Sequence, residues 1–334
     1  MWALLFLRLV LGCPKFQCNP PNSPYPLSSG ICSYFDGNDY YLQGCEETMT
    51  CPGALMSSPG IINCALRASN LTLQSRAGDP CYSDYDCEAS GLGTNKQCVQ
   101  GRCKGKGLGG DCRTAGTSEC VPGLFCLGGL CVKQRDSGGV CASDYMCKEG
   151  YGCNTGKCLP YFSLTTGSTV SDCFNYISFF CQTGSCAKGK CLSLIVNVNF
   201  LPQTCESSSD CVGVSLDNPT VSYPGACSCG RNAEGWSFCN PFSGDSPGEE
   251  YIAAARGLVA SNITEICNAA SRFGWSCLRY SQGEAGSRFL VAQKYYGSYA
   301  QVLFNDMCVK ETYTQDYWSL SSSLSLLLSL LSLL

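Results

Sequence analysis

"CNTGKC", residues 153–158, recurs as "CVQGRC" (98–103), "CLGGLC" (126–131) and "CAKGKC" (186–191). All four read C-x2-G-x-C, with the glycines Gly101, Gly129, Gly156 and Gly189 at one offset. A four-residue connection between cysteines leaves little choice but a tight hairpin. Glycine supplies positive φ at such a turn without a side-chain clash. The flanking cysteines are then delivered to partners earlier in the chain. On this reading Gly156 resists replacement, whereas Asn154 and Thr155 tolerate it better.

Outward from the hairpin a longer unit repeats, with a period of 27 to 33 residues over 78–191. Its fullest form is G-x2-C-x5–7-C, a variable loop, then C-x4-C. The four units carry Cys81, Cys87, Cys98 and Cys103; Cys112, Cys120, Cys126 and Cys131; Cys141, Cys147, Cys153 and Cys158; Cys173, Cys181, Cys186 and Cys191. Gly78, Gly109 and Gly138 each stand three before a first cysteine. "CYSDYDC" (81–87) and "CASDYMC" (141–147) share C-x-S-D-Y-x-C. "CESSSDC" (205–211) opens a fifth, degenerate unit within 192–240, closed by Cys227, Cys229 and Cys239.

Composition says why the cysteines recur. Residues 81–158 hold 12 Cys and 16 Gly, but only 11 of their 78 residues are Val, Ile, Leu, Phe or Met. Such a segment cannot bury enough apolar surface to offset chain entropy. Covalent closure substitutes, at roughly 2–4 kcal/mol per disulfide. The whole chain has 30 cysteines in 334 residues, a disulfide-scaffold composition that calls for an oxidising compartment. Zinc, the competing use, favours C-x2-C pairs and His, and the sequence has neither. The even count predicts that every cysteine is paired; the order of pairing stays open.

Around the repeats lie less regular stretches. Residues 13–77 form an N-terminal cysteine-rich region in which "NPPNSPYP" and "DGNDYY" set turns, with a short strand near Tyr40 and Tyr41. Asp36, Asn38 and Asp39 read as a turn before they read as calcium ligands. Residues 241–310 change character: apolar residues gain helical spacing. Ser246, Pro247 and Glu249 make a capping box and a first turn, and Asn262 with Glu265 repeats that logic before Ile263, Ile266 and Cys267. "WSCLRYS" and "SRFLVAQKYY" fit strand or helix equally. Tyr295, Tyr296 and Tyr299 read as core, or as a binding face. Both ends resemble processing signals: residues 1–12 a secretory signal peptide, and 311–334, with the apolar run Leu324–Leu334, a spacer and GPI-attachment signal. The fold class expected is small disulfide-rich repeats of short β-hairpins, followed by a small mixed α/β domain.

Catalytic chemistry finds few residues. The absence of His removes Ser-His-Asp and Cys-His mechanisms and His-ligated metals. Asp84, Asp86 and Glu88 could pair as glycosidase carboxylates, yet their unit is too small for a substrate cleft. No cofactor, metal or catalytic residue is expected. The net charge of −4 gives no sign of nucleic acid. Asn70 and Asn262 open N-glycosylation sequons.

C-x5-C followed by G-x2-C-x2-G-x-C is similar to the N-terminal cysteine-rich domain of the Dickkopf family, over about 110 of the 334 residues. Those proteins are secreted regulators of Wnt receptors, which the resemblance would imply here. The adjacent Cys-Cys pair of that family and its second, colipase-like domain have no counterpart in this sequence. Repeated units with a GPI-like tail look more like cysteine-rich surface proteins of unicellular eukaryotes such as ciliates. The resulting expectation is a non-enzymatic, GPI-anchored protein of the cell surface, reached by the secretory pathway. Its partner would be an extracellular protein or glycan, its membrane contact a lipid anchor, and its repeats an elongated, protease-resistant array. The alternative is a secreted Dickkopf-like ligand or antagonist.

Overall fold

A computed structural model of the chain describes residues 16–18, 31–35, 40–42, 49–50, 61–63, 65–66, 75–84, 86–87, 97–227, 237–261, 266–278, 284–297 and 299. The chain divides into two compact units: 1–71 with 196–247 and 294–334, and 72–195 with 248–293. Among the described residues it is built mostly from short antiparallel hairpins and disulfides, with the α-helices in the C-terminal part.

In the first unit, Phe16–Cys18, Tyr40–Leu42, Ile31–Phe35 and Ile61–Asn63 form a four-stranded sheet in that spatial order. Tyr34 and Tyr41 lie opposite each other across it and stack, with centroids 4.6 Å apart. The fifth repeat, also here, extends its hairpin to Val212–Ser215 against Asn218–Pro224. Asp245 receives the N–H groups of Asn197 (3.0 Å) and Phe242 (2.7 Å). Tyr296 and Tyr299 are buried, and Tyr296 donates to the Pro241 carbonyl (3.2 Å), so these two rings belong to a core.

In the second unit the opening motif is a two-residue hairpin. Cys98 faces Cys103, Cys126 faces Cys131, Cys153 faces Cys158 and Cys186 faces Cys191. Both turn residues take positive φ: Gln100–Gly101, Gly128–Gly129, Thr155 (47°)–Gly156 (82°) and Lys188–Gly189. That is the type I′ turn, whose twist matches the strands it joins. A third strand lies alongside. Gly78, Gly109 and Gly138 donate to the carbonyls of Cys103, Cys131 and Cys158 at 2.7–2.8 Å. Cys81, Cys112 and Cys141 donate to those of Gly101, Gly129 and Gly156 at 2.8–2.9 Å.

The fourth repeat keeps this frame where its cysteine does not mark it. Gly167 donates to Cys191 and Val170 to Gly189, so Val170 takes the place of a first cysteine and Cys173 lies three residues further on.

The expected tolerance fails at Asn154, while at Thr155 it extends to residues that accept a left-handed backbone. Thr155 occupies the left-handed region beside Gly156. Asn154 is buried, donating to the Thr169 carbonyl (3.1 Å) and accepting from the Ser171 N–H (2.7 Å) and hydroxyl (2.9 Å). It thereby ties the third hairpin to the fourth repeat.

Successive repeats share one more contact, filled from opposite sides. Phe125 of the second repeat is 1% exposed and completes the core of the third, among Met146, Cys147 and Cys158. The equivalent residue of the third repeat is Gly152, where a Cβ would come within 2.6 Å of Tyr161 and 2.7 Å of Phe180. There the next repeat supplies the ring.

Helices α1 (Ser246–Ala260), α2 (Trp275–Leu278) and α3 (Glu284–Gly297) complete the C-terminal part. "SRFLVAQKYY" is thus helix. Ala254, Ala255 and Leu258 of α1 pack on Phe289, Leu290 and Ala292 of α3. Phe162 and Phe179 of the repeats join that core, and Phe179 meets Tyr251 and Phe289 edge-on at 5.5 and 6.2 Å. The sequence sets 241–310 apart, while in the structure 248–293 share a compact unit with 72–195. The helix expected from Asn262 does not run through Ile266 and Cys267: residues 266–274 are turns. No helix among the described residues is long and apolar enough to cross a membrane.

Candidate functional site

The cysteines pair first with third and second with fourth in every repeat. The bonds are 81–98 and 87–103, 112–126 and 120–131, 141–153 and 147–158, and 173–186 and 181–191. The fifth repeat follows with 205–227 and 211–239. Cys267–Cys277 closes a loop outside the repeats. Triads of cysteine sulfurs lie within 4.8 Å of one another, as at Cys112, Cys120 and Cys131, but these sulfurs are in disulfides and offer no thiolate to a metal.

The carboxylates that suggested glycoside chemistry hold main chain instead. Three residues before each second cysteine, a side-chain oxygen accepts the N–H of the third cysteine. Asp84 serves Cys98 (2.7 Å), Thr117 Cys126 (3.2 Å), Asp144 Cys153 (2.6 Å) and Ser208 Cys227 (3.3 Å). One residue before it, a second acceptor takes an N–H four residues back. Asp86 receives Tyr82 (2.7 Å), Glu119 Ala115 (2.5 Å), the Met146 sulfur Ala142 (3.2 Å) and Asp210 Glu206 (2.8 Å). Two such N–H groups, from Ser207 and Glu206, hold the Asp210 carboxyl below the usual range. This is the role of the shared S-D-Y-x-C. In the fourth repeat Ser178 stands at this position, but its hydroxyl accepts the Phe180 N–H (3.4 Å), and Cys186 donates to the carbonyl of Tyr176 (3.1 Å), a residue of positive φ.

The constellation of buried polar groups that spacing did not disclose is "NAASRF", residues 268–273, inside the Cys267–Cys277 loop. Asp79 of the first repeat is fully buried. Its Oδ1 accepts the Asn268 N–H (2.8 Å), its Oδ2 the Arg76 N–H (3.0 Å), and both take the Ser271 hydroxyl (2.7 Å). Burial pushes the Asp79 carboxyl up, and the N–H groups of Asn268 and Arg76 only partly offset this. Asn268 Nδ2 donates to the carbonyls of Ala77 (3.1 Å), Thr117 (3.1 Å) and Cys120 (2.7 Å). Arg272, 3% exposed, donates through Nη1 to Cys147 (3.1 Å) and Lys148 (3.3 Å). Through Nη2 it reaches the carbonyls of Asp144 (2.6 Å) and Tyr151 (2.9 Å) and the Tyr161 hydroxyl (3.2 Å). Burial is also the first cause raising Tyr161 above the usual phenol range. One short segment thus clasps the first three repeats.

One signal for the clasp was present. Asp79 follows Gly78, where the second and third repeats have Gly110 and Gly139. An acid in a glycine position marks a local partner, though not which one. Chemically the clasp is closed: donors and acceptors are matched and sealed from water. Some large apolar side chains face solvent. Tyr82 (76% exposed), Leu108, Val140 and Phe174 (72%) stand out, one from each repeat and all near its first cysteine.

Asn70, Asn262, Cys229, Glu88, the Asp36–Asn38–Asp39 group and both terminal signals lie outside the described residues. No family model, curated protein or solved structure matches the chain.

Proposed function

We propose that this is a non-enzymatic, disulfide-rich extracellular protein, held at the cell surface by a GPI anchor, that acts in coat structure, adhesion or ligand binding. The observation that carries the reading is the pairing of first with third and second with fourth cysteine in four repeats, with the same crossed order, 205–227 and 211–239, in the fifth. A domain stapled this way depends on an oxidising compartment.

Phosphatidylinositol-specific phospholipase C applied to intact cells tests the anchor. Release of the chain, with no prior accumulation in the medium, is expected. Spontaneous appearance in the medium without lipid would favour the second reading, a secreted Dickkopf-like ligand, which rests on the cysteine spacing alone.

A further inference from the structure

The acceptors that Arg272 and Asn268 use in neighbouring repeats are the same acceptors. Asn268 donates to Thr117 and Cys120, the residue three before the second cysteine of the second repeat and that cysteine itself. Arg272 donates to Asp144 and Cys147, the same two positions of the third repeat. The tight turn before the second cysteine points these carbonyls to one side (Gly116–Glu119 in one repeat, Asp144–Met146 in the other). In the third repeat Lys148, Tyr151 and the Tyr161 hydroxyl enlarge the set to five oxygens.

No ion pair joins Arg272 to a carboxylate among the described residues; the Asp144 carboxylate serves the Cys153 N–H and the Tyr161 hydroxyl instead. A buried cation is costly unless its donors are matched, and here main-chain dipoles do the matching. The ring faces of Tyr161 and Phe273, each 5.9 Å from the guanidinium carbon, flank it. Guanidinium is planar, weakly hydrated and donor-only, which suits such a cage better than a compact ammonium does.

We propose that the turn before the second cysteine is a recognition site for side-chain N–H donors, and that the third repeat carries a guanidinium site whose resident ligand, in cis, is Arg272. Four of its five acceptors are main-chain carbonyls, so the site belongs mainly to the repeat frame. The inference stands independently of the surface role proposed above.

Oxidative refolding of the reduced full chain tests it, read as the yield of natively paired protein by peptide mapping. Arg272→Ala removes a donor from five oxygens, of which the Asp144 and Lys148 carbonyls keep a main-chain N–H, and the yield should fall about tenfold. Guanidinium chloride at millimolar, non-denaturing concentration should restore most of that loss. Ammonium chloride at the same concentration should restore little. Adding Tyr161→Phe to Arg272→Ala removes one acceptor and should raise the guanidinium concentration needed. The proposal is overturned if Arg272→Ala refolds like the unaltered chain, or if ammonium restores it equally. It is overturned too if guanidinium restores nothing, including the case where the variant never folds, because a built site takes its ligand back.

Discussion

Thr155 is the least comfortable residue of the opening motif. A β-branched side chain at φ 47° crowds its own backbone, whereas Asn or Gly fits a type I′ turn. Thr155→Asn should therefore raise unfolding free energy by about 0.5–1 kcal/mol. Gly156→Val should lower it by roughly 1–2 kcal/mol, with the strain acting through φ, since a Cβ there meets nothing closer than the Cys141 carbonyl at 3.9 Å. Denaturant unfolding with disulfides intact measures both. Equal stability in the two variants would refute the turn assignment. Asn154→Ala should cost about 1–3 kcal/mol by orphaning the Ser171 N–H and the Thr169 carbonyl. The glycine was legible because four copies place it at one offset. Asn154 was not, because Val99, Leu127 and Ala187 stand at its position in the sister hairpins and its partners belong to the next repeat.

At the scale of the repeat, Phe125 and Gly152 are two solutions to one packing problem. Phe125→Ala should cost about 3–5 kcal/mol by emptying the third repeat's core. Gly152→Ala should cost about 1–3 kcal/mol through its approach to Tyr161 and Phe180. Phe180→Leu should relieve Gly152→Ala, so a double-mutant cycle at this pair gives a favourable coupling energy, and strict additivity would contradict the shared contact. The hairpins, the repeat frame and the need for covalent closure were readable from cysteine and glycine offsets. The fourth repeat hid its frame, since Val170 replaces a first cysteine and Cys173 is displaced. The cysteine pairing was closed to sequence reasoning because four cysteines admit three connectivities, and only the hairpin register separates them.

For the whole chain, the clasp makes stability depend on pH in an unusual direction. The Asp79 carboxyl is raised above 3.8 by burial. A raised acid contributes its stabilisation fully below the unfolded value and loses it as pH climbs through the folded value. Comparing denaturant unfolding of the unaltered chain with Asp79→Asn isolates this from the other carboxylates. The stability difference, unaltered minus variant, should shrink as pH rises from 3.8 upward; a difference that grows with pH would rule out the buried, raised carboxyl. Beyond the acid at Asp79, the clasp could not be read in advance. Asn268 and Arg272 meet partners 111 to 191 residues away, and main-chain carbonyls carry no sequence signature. What spacing did suggest there, a second helix from Asn262, gave way to turns that Cys267–Cys277 encloses.

The crossing of the two disulfides in each repeat has a topological consequence. Cut the backbone once anywhere between the first and fourth cysteine, and at least one bond still bridges the gap. A break between Cys112 and Cys120 is spanned by Cys112–Cys126; one between Cys126 and Cys131 by Cys120–Cys131; one between Cys120 and Cys126 by both. Trypsin acting at exposed Arg113 should thus add a water without releasing a fragment: one band on a non-reducing gel, two after reduction. An extracellular protein meets hydrolases continuously. This one is wired so that scission inside a repeat leaves the chain in one piece.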